Sequence, residues 1–185
     1  MTHCFIAYGA NMPGPFGDPR DTLEIVFSEL RKYNLEILRK SRLYTSLAFP
    51  DPEKPKYLNG CFELRANCEA LTILGRLKSI EIKMGRRESA RWDSRVCDLD
   101  LLAYSNEIHP SPEVFNYWYK MSLRTQMITK PGELLLPHPR LQDRAFVLKP
   151  LMEFASDWIH PIIKLSVKEM LEALPKKDQE SVVLL

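Results

Sequence analysis

The order of apolar segments in the first 104 residues constrains the fold more than any other feature of the chain. Segments rich in β-branched and aromatic residues alternate with segments whose apolar residues recur at helical spacing. The strands are expected at 3–8, 35–44, 57–64 and 96–104, and the helices at 21–33 and 67–84. Asp21 with Glu24 predicts a capping box for the first helix, and Asn67 a cap for the second. This β-α-β-β-α-β order predicts an α+β, ferredoxin-like fold, in which helices cover one face of an antiparallel sheet and the other face can hold a ligand.

The remainder of the chain predicts additions to this sheet. A chain of 185 residues most simply forms one domain with a hydrophobic core. Prolines and an aromatic cluster within 109–132 indicate an inserted helical excursion. Ser166 and Glu169 form a second capping box, which starts a C-terminal helix, and 175–185 is expected to be a tail. We therefore expect a single domain, 1–185, with a C-terminal helical extension.

Composition and charge argue against several classes of protein. The net charge is +2, so nothing in the overall balance demands a nucleic acid or an anionic membrane as a partner. No apolar run reaches the ~18 residues of a membrane span, and the first residues lack the pattern of a signal peptide. The four cysteines show no Cys-x-x-Cys spacing, which favours buried free thiols in the cytoplasm. Nothing in the sequence requires a dimer, so we expect a monomer.

The strand at 96–104 carries two carboxylates, Asp98 and Asp100, which share one face at a separation of roughly 7 Å because side chains alternate along a strand. Leu99 and Leu101 point to the other face. An isolated pair of this kind is as often a solvated edge as a site. Here, four arginines precede it within fifteen residues: Arg86, Arg87, Arg91 and Arg95. Carboxylates for hard cations beside guanidinium groups for anions are the composition of a magnesium–polyphosphate site.

Two further residues, Tyr57 and Asn59, share a face of the strand at 57–64. A stacking aromatic ring beside a side-chain amide can hold a flat nitrogenous ring, because the amide offers both a donor and an acceptor. Phe146 is a second aromatic candidate for such stacking. Each of these aromatic side chains can equally belong to the core.

Other candidates lie in loops. His138 stands between two prolines near Arg140 and Arg144, where it can contact phosphate or serve a structural role. Trp92 can close the basic loop over a ligand or simply anchor that loop. Glu81 is expected to lie on the solvent-exposed side of the second helix rather than to orient an arginine.

Taken in order, these motifs resemble the 6-hydroxymethyl-7,8-dihydropterin pyrophosphokinase family. The family signature is an arginine, two residues, Asp-hydrophobic-Asp and two aliphatic residues, and residues 95–102 match it as Arg-Val-Cys-Asp-Leu-Asp-Leu-Leu. The resemblance runs from about residue 3 to 161. The other matching segments are 6–11, 57–59, 136–138 and 144–146.

This resemblance implies transfer of a diphosphate from ATP to the hydroxymethyl group of the dihydropterin, leaving AMP. It implies two Mg2+ ions held by Asp98 and Asp100, with backbone contacts to the pterin from 46–49. The pterin-binding residues would be Ser46, Phe49, Tyr57, Asn59, Trp92 and Phe146. The residues that bind ATP would be Arg86, Arg91, Arg95, Leu101, His138 and Arg144. Catalysis would rest on Arg86, Arg91, Arg95 and the two aspartates.

The loop before the signature departs from the family pattern. Asp93 replaces a frequent glycine and adds negative charge, and Ser94 stands where proline or alanine is common. A pterin- or nucleotide-binding paralogue with weak or no turnover is therefore the alternative function. An RNA-binding module would require an RNP-like aromatic run, which the sequence lacks. A different two-metal nucleotidyltransferase would lack the Tyr57, Asn59 and Phe146 set.

Overall fold

A computed structural model of the chain describes residues 2–49, 51–86, 94–129 and 131–185. The strands are β1 (Thr2–Ala10), β2 (Glu36–Lys40), β3 (Tyr44–Ser46), β4 (Tyr57–Ala66), β5 (Asp98–Tyr104) and β6 (Val183–Leu184). The helices are α1 (Pro19–Lys32), α2 (Ala70–Lys83), α3 (Pro112–Lys120), α4 (Leu123–Ile128), α5 (Ala145–Ala155), α6 (Val167–Ala173) and α7 (Lys176–Glu180). Within the described ranges, no helix combines the length and the apolar character that crossing a bilayer requires.

The six strands form one antiparallel sheet in the order β5-β1-β4-β3-β6, and β2 also pairs with β4. The single strand expected at 35–44 is divided into β2 and β3. Ser41 lies at the break, where its backbone N–H donates to the carbonyl oxygen of Cys61 and its hydroxyl accepts from the Cys61 N–H. The chain therefore stays attached to β4 across the break, and the elements through β5 read β-α-β-β-α-β if β2 and β3 count as one strand.

The register of the sheet brings three chain segments together at one end. Gly9 of β1 lies opposite Asn59 of β4 on one side and opposite Asp98 of β5 on the other. Two residues earlier in β1, Ala7 lies opposite Asp100. The two aspartates and Asn59 therefore flank the same short stretch of β1.

One face of the sheet is covered by α1 and α2, as the sequence predicts. Leu99 and Leu101 join this core, which confirms that the two aspartates between and beside them point to the opposite face. Sheet residues of this core include Ile6, Phe62 and Leu64, and helical residues include Val26, Leu30, Ile73 and Leu77. The cysteines are free; Cys4, Cys61 and Cys97 are buried, and Cys68 is half-buried.

The expectation that helices lie on one face only is wrong, because α5 and α6 pack on the second face. Phe5 and Leu102 of the sheet pack with Leu148 and Leu151 of α5. The helix α5 has its own apolar side, so burying it against the sheet stabilises both. The part of this face around Gly9 and Asp100 is left for a cleft.

Both predicted caps of the first two helices are wrong. The N-cap of α1 is Asp18, whose side chain accepts from the backbone N–H groups of Arg20 and Asp21. Pro19 follows at the first helical position, where its fixed φ is favourable, so the helix begins before Asp21. The helix α2 begins after Glu69, without a side-chain cap, and not at Asn67.

The C-terminal residues fold instead of forming the expected tail. The capping box of Ser166 and Glu169 is confirmed at the start of α6. After it, 175–185 contains α7 and β6, and β6 pairs with β3. Val182 is only 2% exposed, so its apolar side chain gives this segment a reason to dock.

The segment 109–132 contains α3 and α4. Phe115 of α3 is buried, and its ring lies 5.3 Å from that of His160 in the C-terminal part of the chain. The Nδ1 atom of His160 accepts from the backbone N–H of Ile162 at 3.2 Å. The imidazole is completely buried, and burial lowers the pKa of His160 to about 4.

Acid is therefore expected to destabilise the protein through His160. The folded-state pKa lies below the ordinary value of 6.5, so the unfolded chain binds the proton more tightly and stability falls between about pH 6.5 and 4. Because a shift of one pKa unit corresponds to ~1.36 kcal/mol, the full loss of unfolding free energy is ~3 kcal/mol. Urea unfolding at pH 7.5 and pH 4.5 measures it.

The variant His160→Gln keeps a hydrogen-bond acceptor but does not titrate in this range. It should show a smaller loss of unfolding free energy between these two pH values than the wild-type protein. Equal losses in the two proteins would contradict the assignment to His160.

Candidate active site

The open part of the second face forms the floor of a cleft of about 650 Å3. Residues from the ends of β1, β4 and β5 form the floor, and the segment after β3, the start of α5 and α7 form the walls. The residues that were predicted to belong to the site and that line this cleft are Ser46, Phe49, Tyr57, Asn59, Arg95, Asp98, Asp100, His138, Arg144 and Phe146. Residues separated by up to 100 positions in the sequence thus line the same cleft.

A second cleft of about 240 Å3 adjoins the first. Both clefts are lined by Asp100, His138, Arg140 and Arg144. Leucines and prolines dominate the rest of the smaller cleft, together with Trp118 and Gln126 from the inserted segment. The predicted residue Leu101 lies here. The two clefts therefore meet at a carboxylate surrounded by cationic and imidazole groups.

The two aspartates differ in their surroundings. Asp98 forms ion pairs through Oδ1 with Arg86 and Arg95, whereas Asp100 lies 3.4 Å from Arg144. Burial raises the pKa of Asp98, and the negative charge of Asp100 raises it further, although the two arginines oppose this. The pair thus retains mutual repulsion, which a bound cation would relieve.

Asn11 fixes the backbone beside Arg95. Its side-chain oxygen accepts from the backbone N–H of Arg95 at 2.7 Å, and its backbone N–H donates to the carbonyl oxygen of Arg95 at 2.9 Å. Its amide nitrogen also donates to the carbonyl oxygen of Pro55 at 2.9 Å. Asn11 therefore ties the end of β1 to both the arginine and the loop that leads into β4.

The expectation that Glu81 is a solvated residue of the second helix is wrong. It is only 4% exposed, forms an ion pair with Arg86, and accepts from the backbone N–H of Leu99 at 2.8 Å. Burial, followed by the charge of Asp98, raises the pKa of Glu81 to about 7. Glu81 orients Arg86 toward Asp98, and helical spacing from the buried Leu77 gave the signal for this position.

His138 is held in one orientation by the loop it belongs to. The backbone N–H of His138 donates to the carbonyl oxygen of Leu102 at 2.7 Å, and the ring Nδ1 accepts from the backbone N–H of Arg140 at 3.1 Å. Burial, with the charges of Arg144 and Arg140, lowers its pKa well below the ordinary value. The neutral ring therefore carries its proton on Nε2, and this tautomer makes Nε2 a donor.

The amide of Asn59 is also held in place. Its nitrogen donates to the hydroxyl of Ser46 at 3.0 Å and to the carbonyl oxygen of Tyr57 at 3.3 Å. Asn59 and Ser46 are buried, whereas the rings of Tyr57 and Phe146 remain partly exposed in the same cleft. An oriented amide and two accessible rings in one cleft can bind a flat heterocycle.

One predicted residue lines neither cleft, and others lie outside the residues that the structure describes. Arg86 lines neither cleft and reaches the site through Asp98. Arg91 and Trp92 lie outside the described residues, as do Arg87 and Asp93, so their roles stay predictions.

Several lining residues were not predicted. Arg140 lines both clefts, and its Nε lies 3.7 Å from the Asp143 carboxylate. Its position two residues after His138 was the signal in the sequence. Trp118 and Gln126 gave no sequence signal for the smaller cleft, because their position depends on how the inserted helices pack.

The donor set is compatible with Mg2+ bound together with phosphates. Among the residues that the structure describes, no group of three or more His, Cys, Asp or Glu side chains could hold a metal by itself. Mg2+ in phosphate-binding sites is commonly held by one or two carboxylates plus substrate oxygens. Asp98 and Asp100 supply these carboxylates, and the arginines nearby can bind the remaining phosphate charge.

Most of the chain is similar in sequence to known proteins. Residues 5–156 match the model of the family described as 7,8-dihydro-6-hydroxymethylpterin-pyrophosphokinase (HPPK). The 2-amino-4-hydroxy-6-hydroxymethyldihydropteridine pyrophosphokinase of Synechocystis sp. is 33% identical over 160 residues, covering 86% of this chain and 71% of the relative. The enzyme of the same name from Haemophilus influenzae is 29% identical, covering 87% of this chain and 86% of the relative.

Longer proteins contain a similar part. The chain is 28% identical to the folic acid synthesis protein fol1 of Schizosaccharomyces pombe, but spans only 20% of its length. Among solved structures, Plasmodium falciparum HPPK-DHPS with pteroate has a TM-score of 0.65 at 12% identity, covering 92% of this chain. The chain spans 44% of that solved chain, and at this identity the likeness concerns the fold.

Proposed function

The chain belongs to the 7,8-dihydro-6-hydroxymethylpterin-pyrophosphokinase family, and we propose that it transfers the diphosphate of ATP to 6-hydroxymethyl-7,8-dihydropterin. The products are AMP and the dihydropterin diphosphate. Family members are ATP-dependent diphosphotransferases of folate synthesis. The observation that carries the proposal for this chain is the junction of the two clefts at Asp100, His138, Arg140 and Arg144. A heterocycle in one cleft and a nucleotide in the other would meet there.

In this proposal the pterin occupies the larger cleft. Tyr57 and Phe146 stack on its two faces, and Asn59 binds its edge, with Ser46 holding the amide. Phe49 contributes to the wall beside them. The polar groups of a pterin edge match an oriented amide, and its flat ring matches aromatic faces.

The base of ATP occupies the smaller cleft, against Leu101, and its phosphates extend to the junction. Arg95, Arg144 and the Nε2–H of His138 donate to phosphate oxygens there. A neutral histidine suits this position, because it donates without adding a further positive charge beside the guanidinium groups of Arg140 and Arg144. Arg86 supports Asp98 from behind the clefts. Arg91 and Trp92 are proposed to complete the phosphate and pterin contacts.

We propose that Asp98 and Asp100 hold two Mg2+ ions, whose chemistry there is to neutralise and orient the polyphosphate. Their shared face and the raised pKa of Asp98 support this assignment. The ion pairs of Asp98 with arginines keep its carboxylate positioned when phosphate is absent.

The reaction is an in-line displacement at the β-phosphorus of ATP. The hydroxymethyl oxygen forms a bond to this phosphorus, the bond from it to the oxygen that bridges to the α-phosphorus breaks, and AMP leaves with that oxygen. The hydroxyl proton passes to solvent. Positioning and charge neutralisation dominate such transfers, so no side chain has to act as a strong base.

We also propose that β1 to β5 with α1 and α2 form a ferredoxin-like core, extended at the C-terminus, within one domain, 1–185. We further propose that the functional unit is a monomer. The alternative function is a paralogue that binds pterin or nucleotide with weak turnover, because Asp93 alters the basic loop.

Chromatographic separation of nucleotides tests the proposed function. The protein is incubated with ATP and Mg2+, with and without 6-hydroxymethyl-7,8-dihydropterin. AMP that forms only with the pterin, without ADP, supports diphosphate transfer. Pterin binding without AMP would instead support the weak paralogue.

Trp118 provides a separate test of where ATP binds. It lines the smaller cleft, so Trp118→Ala should raise the KM for ATP by roughly tenfold, the loss expected when a large aromatic contact is removed. The KM for the dihydropterin in the same variant is the internal control and should stay unchanged. A change in the pterin KM alone would contradict this placement of the nucleotide.

A further inference from the structure

The C-terminal segment, residues 175–185, lies beyond the residues that match the family model, which end at 156. It is nevertheless attached to the sheet. In β6, Val183 lies opposite Thr45 and Leu184 opposite Tyr44, and the N–H of Leu185 donates to the carbonyl oxygen of Leu43 at 2.9 Å. The Nζ of Lys149 in α5 donates to the carbonyl oxygen of Val182 at 2.7 Å. The C-terminal segment thus connects the short strand β3 with α5.

Val182 belongs to the wall of the larger cleft, which it lines together with Phe146. It forms a small apolar cluster with Tyr44 and Ala145, and Phe146 and Leu174 pack against that cluster. Phe146 is only partly buried, and it packs against this small cluster as well as against the larger cluster that α5 and α6 form with the sheet. Val182 is therefore one of the groups that support its ring.

The same segment also holds the strand that carries Ser46. The strand β3 is three residues long and pairs with β4 on one side and β6 on the other. Ser46 at its end accepts the hydrogen bond that orients the Asn59 amide. Pairing with β6 therefore limits the movement of a residue in contact with the edge-binding amide.

The helix α7 reaches the cleft directly. Lys177, Asp178 and Ser181 line the larger cleft. Lys177 and Asp178 are exposed, so they form a polar rim around the aromatic site. None of these residues lines the smaller cleft.

From these contacts we propose that the C-terminal segment is part of the dihydropterin subsite, with Val182 as a positioning residue for Phe146 and β3. This inference rests on the proposed function, because it takes the ligand of the larger cleft to be the dihydropterin. The segment supports the pterin side of the site and leaves the nucleotide side unaffected.

Two adjacent valines allow a matched test. Val182 is buried, whereas Val183 is 56% exposed, so Val182→Ala and Val183→Ala make the same chemical change on either side of the strand. The Kd for 6-hydroxymethyl-7,8-dihydropterin should rise roughly fivefold in Val182→Ala, because truncation leaves space in the cluster against which Phe146 packs and lets the ring shift. The Kd for a non-hydrolysable ATP analogue should stay unchanged. Val183→Ala should bind both ligands as the wild-type protein does.

Lys149→Met removes the second attachment of the segment without changing the cleft lining, and it serves if Val182→Ala unfolds. It should also weaken dihydropterin binding selectively. Equal dihydropterin Kd values for wild type, Val182→Ala and Lys149→Met would overturn the inference, as would a parallel loss of ATP-analogue binding.

Binding separates this inference from the proposed function. Wild-type protein that binds the dihydropterin but forms no AMP contradicts the proposed function alone, and the comparison of the valine variants still decides the inference. Wild-type protein that does not bind the dihydropterin overturns both.

Discussion

Asp100→Ala should lower the rate of pterin-dependent AMP formation by at least ~1,000-fold, the loss typical of removing a group that stabilises transition-state charge. Asp100 is the carboxylate that lines both clefts, so it lies where the hydroxymethyl oxygen and the β-phosphorus would meet. Its side chain is 37% exposed and contacts Arg144 rather than the apolar core. The loss should therefore appear in kcat, measured from AMP release at saturating ATP and dihydropterin.

Asp157→Ala is the matched control, because Asp157 lies on the surface after α5 and lines neither cleft. The melting temperatures of both variants should remain near that of the wild-type protein. Near-normal AMP formation by a folded Asp100→Ala variant would remove Asp100 from the proposed metal site.

Arg95→Ala should slow turnover by roughly 100-fold and change the Kd for the dihydropterin much less. The guanidinium of Arg95 pairs with Asp98, and Asn11 fixes its backbone. Its loss removes a preorganised phosphate donor and leaves Asp98 with Arg86 as its cationic neighbour. AMP release measures the first effect, and a dihydropterin binding titration measures the second.

Arg65→Ala is the corresponding control. Arg65 also forms an ion pair with a carboxylate, that of Glu36, but both side chains are well exposed and line neither cleft. Exposed pairs of this kind contribute ~0–1 kcal/mol, so activity and stability should change little. An unchanged rate in Arg95→Ala, or an equal loss in Arg65→Ala, would contradict the phosphate role of Arg95.

Strand periodicity explains why so much of the candidate site was predictable. Asp98 and Asp100 share a face because alternate residues do, and Tyr57 and Asn59 share a face for the same reason. The pairing of β1 with both β4 and β5 then places these two pairs on either side of the same stretch of β1. For residues on strands, the alternation of side chains was therefore sufficient to predict which of them share a face.

Features that depend on packing between distant segments were not predictable from sequence. The helix α5 covers part of the second face, which no local pattern specifies, and this coverage confines the ligand site to one end of the sheet. Val182 looked like part of a tail because four apolar residues at the end of the sequence carry no strand signal without a partner. Glu81 looked solvated because its burial depends on Arg86 and on the backbone of β5.

The path of isotopic phosphorus from ATP to product tests the central claim most directly. ATP labelled at the β-phosphorus, and separately at the γ-phosphorus, is turned over with 6-hydroxymethyl-7,8-dihydropterin and Mg2+. The account predicts that both labels appear in the pterin product and that AMP carries neither. Transfer of the γ label alone, with ADP as the second product, or release of label only as free phosphate or diphosphate would contradict it.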